Sequence, residues 1–187
     1  MINEPAVVIS AIAACISAFS ALIAVWNYRR EHLNQRISAA KWKKEYFADL
    51  LKWSDEAMLL LSESLHLCDL DPKLMEDGAF FEMRHAMRIK LSAQIDRGRW
   101  FFPNHLIEMH GLHKHEAFRG YRPATLKALV DTYRALTSLS YTRLSDNMAY
   151  KGEIKNAKRL FTSEIQKVLN PRDRDREFGI LLRGVLG

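Results

Sequence analysis

The sequence predicts an all-α protein, with a single N-terminal transmembrane helix followed by a cytoplasmic bundle of about four helices. Two observations predict this class. Residues 5–26 are apolar and contain no charged residue and no histidine. The rest of the chain repeats its apolar residues at spacings of three and four, and no stretch alternates apolar and polar residues for long enough to indicate a strand.

The apolar run has the length of a membrane anchor. A helix of roughly 20 residues crosses the ~30 Å hydrocarbon core of a bilayer, where a single segment satisfies its own backbone only as a helix. The residues before the run include Glu4 but no Lys or Arg, and the run is long for a signal peptide. We therefore predict a retained anchor over residues 1–28, with a cleaved signal peptide and a buried helix of a soluble protein as alternatives.

The flanking charges predict the orientation of the anchor. Trp26 and Tyr28 stand where interfacial aromatic residues are expected. The basic residues that follow outnumber Glu31 and Glu45, and they are Arg29, Arg30, Arg36, Lys41, Lys43 and Lys44. The positive-inside rule then places the N-terminus outside and the C-terminal body, residues 29–170, in the cytoplasm. The predicted location is the bacterial inner (plasma) membrane, with the lipid bilayer as first partner.

Small residues recur within the predicted span at alternating spacings of four and three. On a helix they share one face, and bulky residues occupy the opposite face. Small residues let helices approach closely in lipid. The pattern favours a homo-oligomer or a membrane or cytoplasmic protein partner, although Ala and Ser are also common in membrane helices in general. The residues of this face are Ser10, Ala14, Ser17, Ala21 and Ala24.

The body divides into helices at its Pro and Gly residues. Residues 27–67 contain neither, and their apolar stripe continues the N-terminal helix. Asp71 and Pro72 have the pattern of an N-cap and a first helical residue, which predicts a helix over residues 72 to about 102 whose regular part starts at Ala79. Pro103 is expected to end it. Its core face is predicted to contain Phe80, Met83, Met87, Leu91 and Ile95, with Arg84, Arg88 and Lys90 directed away.

Two further helices complete the predicted bundle. Pro123 is expected to open the third helix as its first residue. Residues 145–147 are expected to form a turn and cap before a helix over residues 148–169, which Asn170 and Pro171 stop. Residues 171–187 are predicted to form a charged hinge and a short apolar tail.

Net charge and cysteine usage limit the function classes. The formal net charge is +6, which suits nucleic acid but also the negatively charged cytoplasmic leaflet. No helix combines clustered basic residues with interleaved aromatic residues, so nucleic acid is not the expected partner. Cys15 lies in the predicted span and Cys68 in the body, so no disulfide is expected within one chain. No catalytic motif is present, and we predict a non-enzymatic protein without a cofactor.

Three histidines lie in the long polar connection over residues 104–122. Neutral imidazole is a common metal ligand. We therefore consider His110, His113 and His115 as candidate ligands of a zinc or nickel ion. Their spacing matches no established zinc module, and the alternative is that they are solvated loop residues.

Arginines at both ends of this connection are candidates for a ligand site. If the connection folds back, their guanidinium groups converge near a helix N-terminus, a combination that binds phosphate or carboxylate. The alternative is that the arginines pair with Asp96, Glu108 and Glu116 and tie the loop to the bundle. Trp100 or Tyr121 is placed to stack on a base. The arginines are Arg97, Arg99, Arg119 and Arg122.

Two strings within this region carry a resemblance. Residues 97–104, RGRWFFPN, and residues 118–123, FRGYRP, resemble uncharacterised bacterial membrane proteins with one N-terminal span and a cytoplasmic helical domain. The resemblance implies that both strings belong to one structural site, with Trp100 and Phe101 packed under a loop that Arg119 and Tyr121 close. It implies no activity and no cofactor.

Three hypotheses for function follow from the sequence, and the third is a metalloenzyme that uses the histidines of the long connection. The first is a single-pass membrane protein whose helical body serves assembly or partner binding. The second is a membrane-bound sensor or effector, of a stress or phage-defence system, that binds an anionic ligand such as a nucleotide through the arginine-rich loop.

Overall fold

The structure, a computed structural model, describes residues 4–107 and 110–170. Within the first helix it describes the side chain of residue 12 and those from residue 16 onward. The predicted hinge and tail over residues 171–187 lie outside the described residues. So do Glu108 and the side chains of Ser10 and Ala14.

The described chain is all-helical, as predicted. Its four α-helices are α1 (Glu4–Leu67), α2 (Ala79–Gly98), α3 (Ala124–Ser138) and α4 (Leu144–Leu169). Short 3₁₀ turns cover Pro72–Leu74 and Glu116–Phe118. No strand occurs among the described residues, and their one extended pairing is an isolated bridge between His105 and Tyr121.

The chain divides into two compact units, Met1–Ala48 and Asp49–Gly187. In the first unit every described side chain of residues 16–45 is exposed. The exposed apolar side chains include Ile16, Phe19, Leu22, Ile23, Val25, Trp26, Leu33, Ile37 and Trp42. Across the described residues, none of the helices has the length and apolar character that crossing a membrane requires. The transmembrane anchor stays a prediction from the sequence.

The core of the second unit forms around Trp53 in α1. Its indole contacts the rings of Phe101, Phe102 and Phe161, with centroid distances of 5.7, 5.6 and 5.7 Å. Its Nε1 donates a hydrogen bond of 3.0 Å to the carbonyl oxygen of Gln94. A buried indole needs such an acceptor, because an unpaired buried N–H destabilises the fold. Trp53 thus connects α1 to α2, α4 and the start of the loop.

Helix α2 ends where it meets this core. A Cβ added at Gly98 would lie 2.4 Å from Leu126 Cδ2 and 2.5 Å from Trp53 Cζ2. The backbone N–H of Phe102 then donates to the Gly98 carbonyl, at 2.8 Å. The helix therefore ends at Gly98 rather than near residue 102, because the chain turns here to bring two aromatic rings onto Trp53.

The start of the second predicted helix also differs. Asp71 caps the 3₁₀ turn Pro72–Leu74 by accepting from the Lys73 backbone N–H at 3.0 Å. Gly78 follows with a φ of 83°, and α2 starts at Ala79 as the sequence predicts.

One face assignment in α2 is wrong. Met83, expected in the core, is exposed, and Arg84, expected outside, is buried. The guanidinium of Arg84 donates to the carbonyl of Leu139 at 2.8 Å and lies 3.9 Å from the centre of the Tyr141 ring. The reason is electrostatic, since a cation stabilises the free carbonyls and the negative end of the dipole at the C-terminus of α3.

Helix α4 begins at Leu144, so Asn147 lies inside its first turn rather than capping it. Asn147 is buried and accepts from the Ser140 N–H at 2.7 Å while donating to the Ser140 carbonyl at 3.2 Å. This pair of bonds fixes the connection from α3 to α4.

Candidate anion-binding cleft

The long connection between α2 and α3 is closed at its base. His105 and Tyr121 exchange both backbone hydrogen bonds, at 2.8 and 2.9 Å. Gly120 makes this possible, because its φ is 80° and a Cβ there would lie 2.2 Å from the His105 carbonyl oxygen. Residues 97–104 and 118–123 are therefore brought close together.

Arg99 joins the end of α2 to the loop. Its side chain is only 10% exposed, and its Nε donates to Asp96 Oδ1 at 3.4 Å. Its Nη1 donates to the Ala117 carbonyl at 3.4 Å, and its guanidinium carbon lies 4.2 Å from the centre of the Phe118 ring. The guanidinium of Arg99 is therefore held in one orientation against Phe118. A ligand that binds it would restrict few additional side-chain rotamers, so the entropic cost of binding is small.

An open cleft of about 370 Å³ lies beside Arg99. It combines three cationic side chains with two histidines, an amide and an aromatic ring. No Asp or Glu is among the described residues that line it. The lining residues are Arg99, Asn104, His113, Lys114, His115, Phe118 and Arg122.

Arg122 experiences a positive environment. Desolvation lowers the pKa of its guanidinium from its ordinary value, the charges of Arg99 and Arg134 lower it further, and Asp131 acts in the opposite direction. The group still carries its charge at neutral pH. Within the described part of the chain, Arg122 forms no hydrogen bond or ion pair. An anion bound between Arg99 and Arg122 would relieve their repulsion.

Two neighbouring features also affect which ligand groups the cleft favours. The residue after Arg122 is Pro123, which is the N-cap of α3 and supplies no side-chain acceptor, and the first turn of α3 contains no acidic residue. The free N–H groups of such a turn favour negative charge. The Oδ1 atom of Asn104 is buried and has no hydrogen-bond partner among the described residues, so it is available to accept from a ligand hydroxyl or amine.

The remaining predicted ligand residues lie elsewhere. Arg97 pairs with Glu56 at 3.3 Å on the α1 side of α2. Arg119 donates to the Lys114 carbonyl at 3.0 Å, and so holds the loop rather than lining the cleft. Trp100 is 79% exposed, and Phe102 joins Phe101 on Trp53 in place of it.

The structure thus brings together Arg99 and Arg122 of the predicted set, and it adds residues that the sequence did not single out. Lys114 lies in the same loop, and no sequence pattern distinguishes it. Asn104 and Phe118 belong to the two strings that carry the resemblance, but neither was proposed as a ligand residue. Of the alternative ion pairs, the pair between Asp96 and Arg99 forms.

The three predicted metal ligands do not share one place. His113 and His115 line the cleft, whereas His110 stacks on Tyr121 with ring centroids 4.3 Å apart. In residues 4–107 and 110–170 no group of three or more His, Cys, Asp or Glu side chains is arranged to hold a metal ion. The metal site stays a prediction without structural support.

The predicted association face is described only in part. Ser17, Ala21 and Ala24 are exposed on α1.

In comparisons with models of protein families, with curated proteins and with solved structures, nothing matches this chain.

Proposed function

We propose that this protein is a membrane-anchored sensor or effector whose helical body binds a phosphate-bearing ligand in the cleft. One observation carries the proposal. Arg99, Lys114 and Arg122 converge on an open cleft, and no carboxylate is among the described residues that line it.

The chemistry of these groups fits a phosphate. A guanidinium presents paired N–H donors that match phosphate oxygens, and hydrogen bonds to charged groups contribute about 1.5–3 kcal/mol each. Arg99 is held by Phe118 and Ala117, so binding immobilises it at little further entropic cost. Burial and the charges of Arg99 and Arg134 lower the pKa of Arg122, and a bound dianion offsets the repulsion between these charges.

The proposal of a membrane anchor is based on residues 5–26, which contain no charged residue. Apolar side chains of the same helix, from Ile16 to Trp26, are exposed and lack cover within the described chain. Hydrocarbon would cover them. The basic residues that follow favour a cytoplasmic location for the body.

Thermal unfolding of the detergent-solubilised full chain tests ligand binding. Inorganic phosphate, pyrophosphate and a nucleotide panel are compared with chloride at equal ionic strength. A ligand at about 100 times its dissociation constant stabilises by about 2.7 kcal/mol. For a chain of this size this raises Tm by about 5–10 °C.

Two variants of equal charge change make the test specific. Arg122→Gln should lose the ligand-induced shift, because it removes a cation from the cleft. Arg97→Gln should keep it, because Arg97 pairs with Glu56 outside the cleft. The proposal is wrong if no phosphate compound raises Tm, or if both variants respond as the wild-type chain does.

Assembly through the N-terminal unit is a second candidate. Leu33, Ile37 and Trp42 are exposed in α1 beyond the uncharged run, so lipid would not cover them and a second copy could. Crosslinking in membranes followed by mass spectrometry would identify the contact. Association that persists when Ala14, Ser17 and Ala21 are all replaced by Ile would exclude the small-residue face from that contact.

A further inference from the structure

The loop around the cleft exposes large apolar side chains. Trp100 is 79% exposed and Leu106 is 75% exposed, and Leu112 and Tyr121 are also exposed. We call these four side chains the apolar rim. Such side chains normally pack in the interior, and their clustering on one loop indicates contact with another surface.

Each residue of the apolar rim is within two positions in sequence of a residue that lines the cationic cleft. Trp100 follows Arg99, Leu112 precedes His113, Tyr121 precedes Arg122, and Leu106 is two residues after Asn104. Consecutive Cα atoms are about 3.8 Å apart, so each rim residue lies within about 8 Å of a lining residue along the backbone. The pairing of His105 with Tyr121 brings the two halves of the loop together.

The loop is also basic. Residues 99–122 include the cations Arg99, Lys114, Arg119 and Arg122, against the acids Glu108 and Glu116. Trp and Tyr side chains concentrate at the membrane interface, and Lys and Arg side chains are attracted to anionic headgroups. A protein partner would need a complementary acidic face, whereas an anionic leaflet supplies charge and apolar depth together.

We propose that the apolar rim docks on the anionic surface of the bilayer, with the phosphate of a lipid headgroup bound in the cleft between Arg99 and Arg122. This inference rests on the proposed function and names the source of the phosphate. The anchor raises the local concentration of the bilayer around the body, so that weak docking is sufficient for contact.

The full chain in nanodiscs tests the inference. A fluorophore is attached through Leu106→Cys in a background in which Cys15 and Cys68 are Ala, and quenching by lipids with brominated acyl chains reports insertion. The discs contain phosphatidylcholine alone or with added phosphatidylglycerol. The matched control is Leu74→Cys, because Leu74 is 86% exposed but is followed by the acidic residues Glu76 and Asp77.

Three results are expected. The label at position 106 is quenched in the anionic discs and not in the neutral discs, whereas the label at position 74 is quenched in neither. Arg122→Gln lowers the equilibrium constant for docking about five-fold, the effect of removing one basic side chain at an anionic surface. Pyrophosphate reverses the quenching at constant ionic strength, because it competes for the cleft.

Other results overturn the inference in distinguishable ways. Equal quenching in neutral and anionic discs means that insertion of the apolar rim does not depend on an anionic headgroup. Absence of quenching, together with a pyrophosphate shift in Tm that depends on Arg122, means that the cleft binds a free ligand and leaves the proposed function standing. Absence of quenching, together with no rise in Tm from any of the phosphate compounds, removes the inference and the proposed function together.

Discussion

Replacement of Gly98 by Ala should destabilise the bundle, although Ala is the better helix former. The new Cβ would lie 2.4 Å from Leu126 Cδ2 and 2.5 Å from Trp53 Cζ2, and both partners are buried. Overpacking of this kind costs about 1–3 kcal/mol. The gain in helix propensity is at most about 1 kcal/mol, and it is smaller for Gly98 because this residue ends α2. We expect a net loss of about 1–2 kcal/mol.

Gly152 provides the matched control. It lies within α4, and a Cβ there would meet nothing within 4 Å. Gly152→Ala should therefore stabilise the chain by about 0.5–1 kcal/mol. Thermal unfolding of the full chain, followed by circular dichroism, should show Tm lowered by about 2–8 °C for Gly98→Ala and raised by about 1–4 °C for Gly152→Ala. Equal upward shifts in both variants would refute the packing argument.

Three further changes test the interior. Arg84→Met should lower the unfolding free energy by about 2 kcal/mol, because the C-terminal carbonyls of α3 lose a charged donor, and urea titration measures the loss. Asn147→Ala should cost about 2 kcal/mol in the same assay, since both backbone groups of Ser140 lose their partner. Burial raises the pKa of the Cys68 thiol from 9.0 to about 11. The stability from the neutral thiol is full below pH 9.0 and is lost as pH rises toward about 11, by about 2–3 kcal/mol in total. Cys68→Ala should remove this slope from a pH series of unfolding measurements, and an unchanged slope would contradict the assignment.

The helices were predictable because their signals are local. Apolar spacing identified the buried face of α2 at Phe80, Leu91 and Ile95, and Asp71 was recognised as a cap. The predictions were wrong where contact with a residue distant in sequence determines whether a side chain is buried. Arg84 is buried because the end of α3 lies beside it, and nothing in its own neighbourhood indicates this.

The candidate site was predictable only as a group of arginines. Arg97 and Arg99 are two positions apart, so at 100° per residue their side chains point about 200° apart around a helix. One therefore pairs with Glu56 on α1 while the other reaches the cleft. The sequence shows which charged residues are present, but which of them come together depends on the backbone pairing of His105 with Tyr121. A single pair of residues has no periodicity, so this pairing could not be predicted from the sequence.

That backbone pairing also bears on how proteins of this architecture can diverge. It holds the two ends of the loop together independently of the side chains between them, since the bonds are made by main-chain atoms. Mutations and insertions in the middle of the loop are then expected to leave the helices in place and to change the side chains that line the cleft. Related chains can vary this lining in that way while they retain a common scaffold.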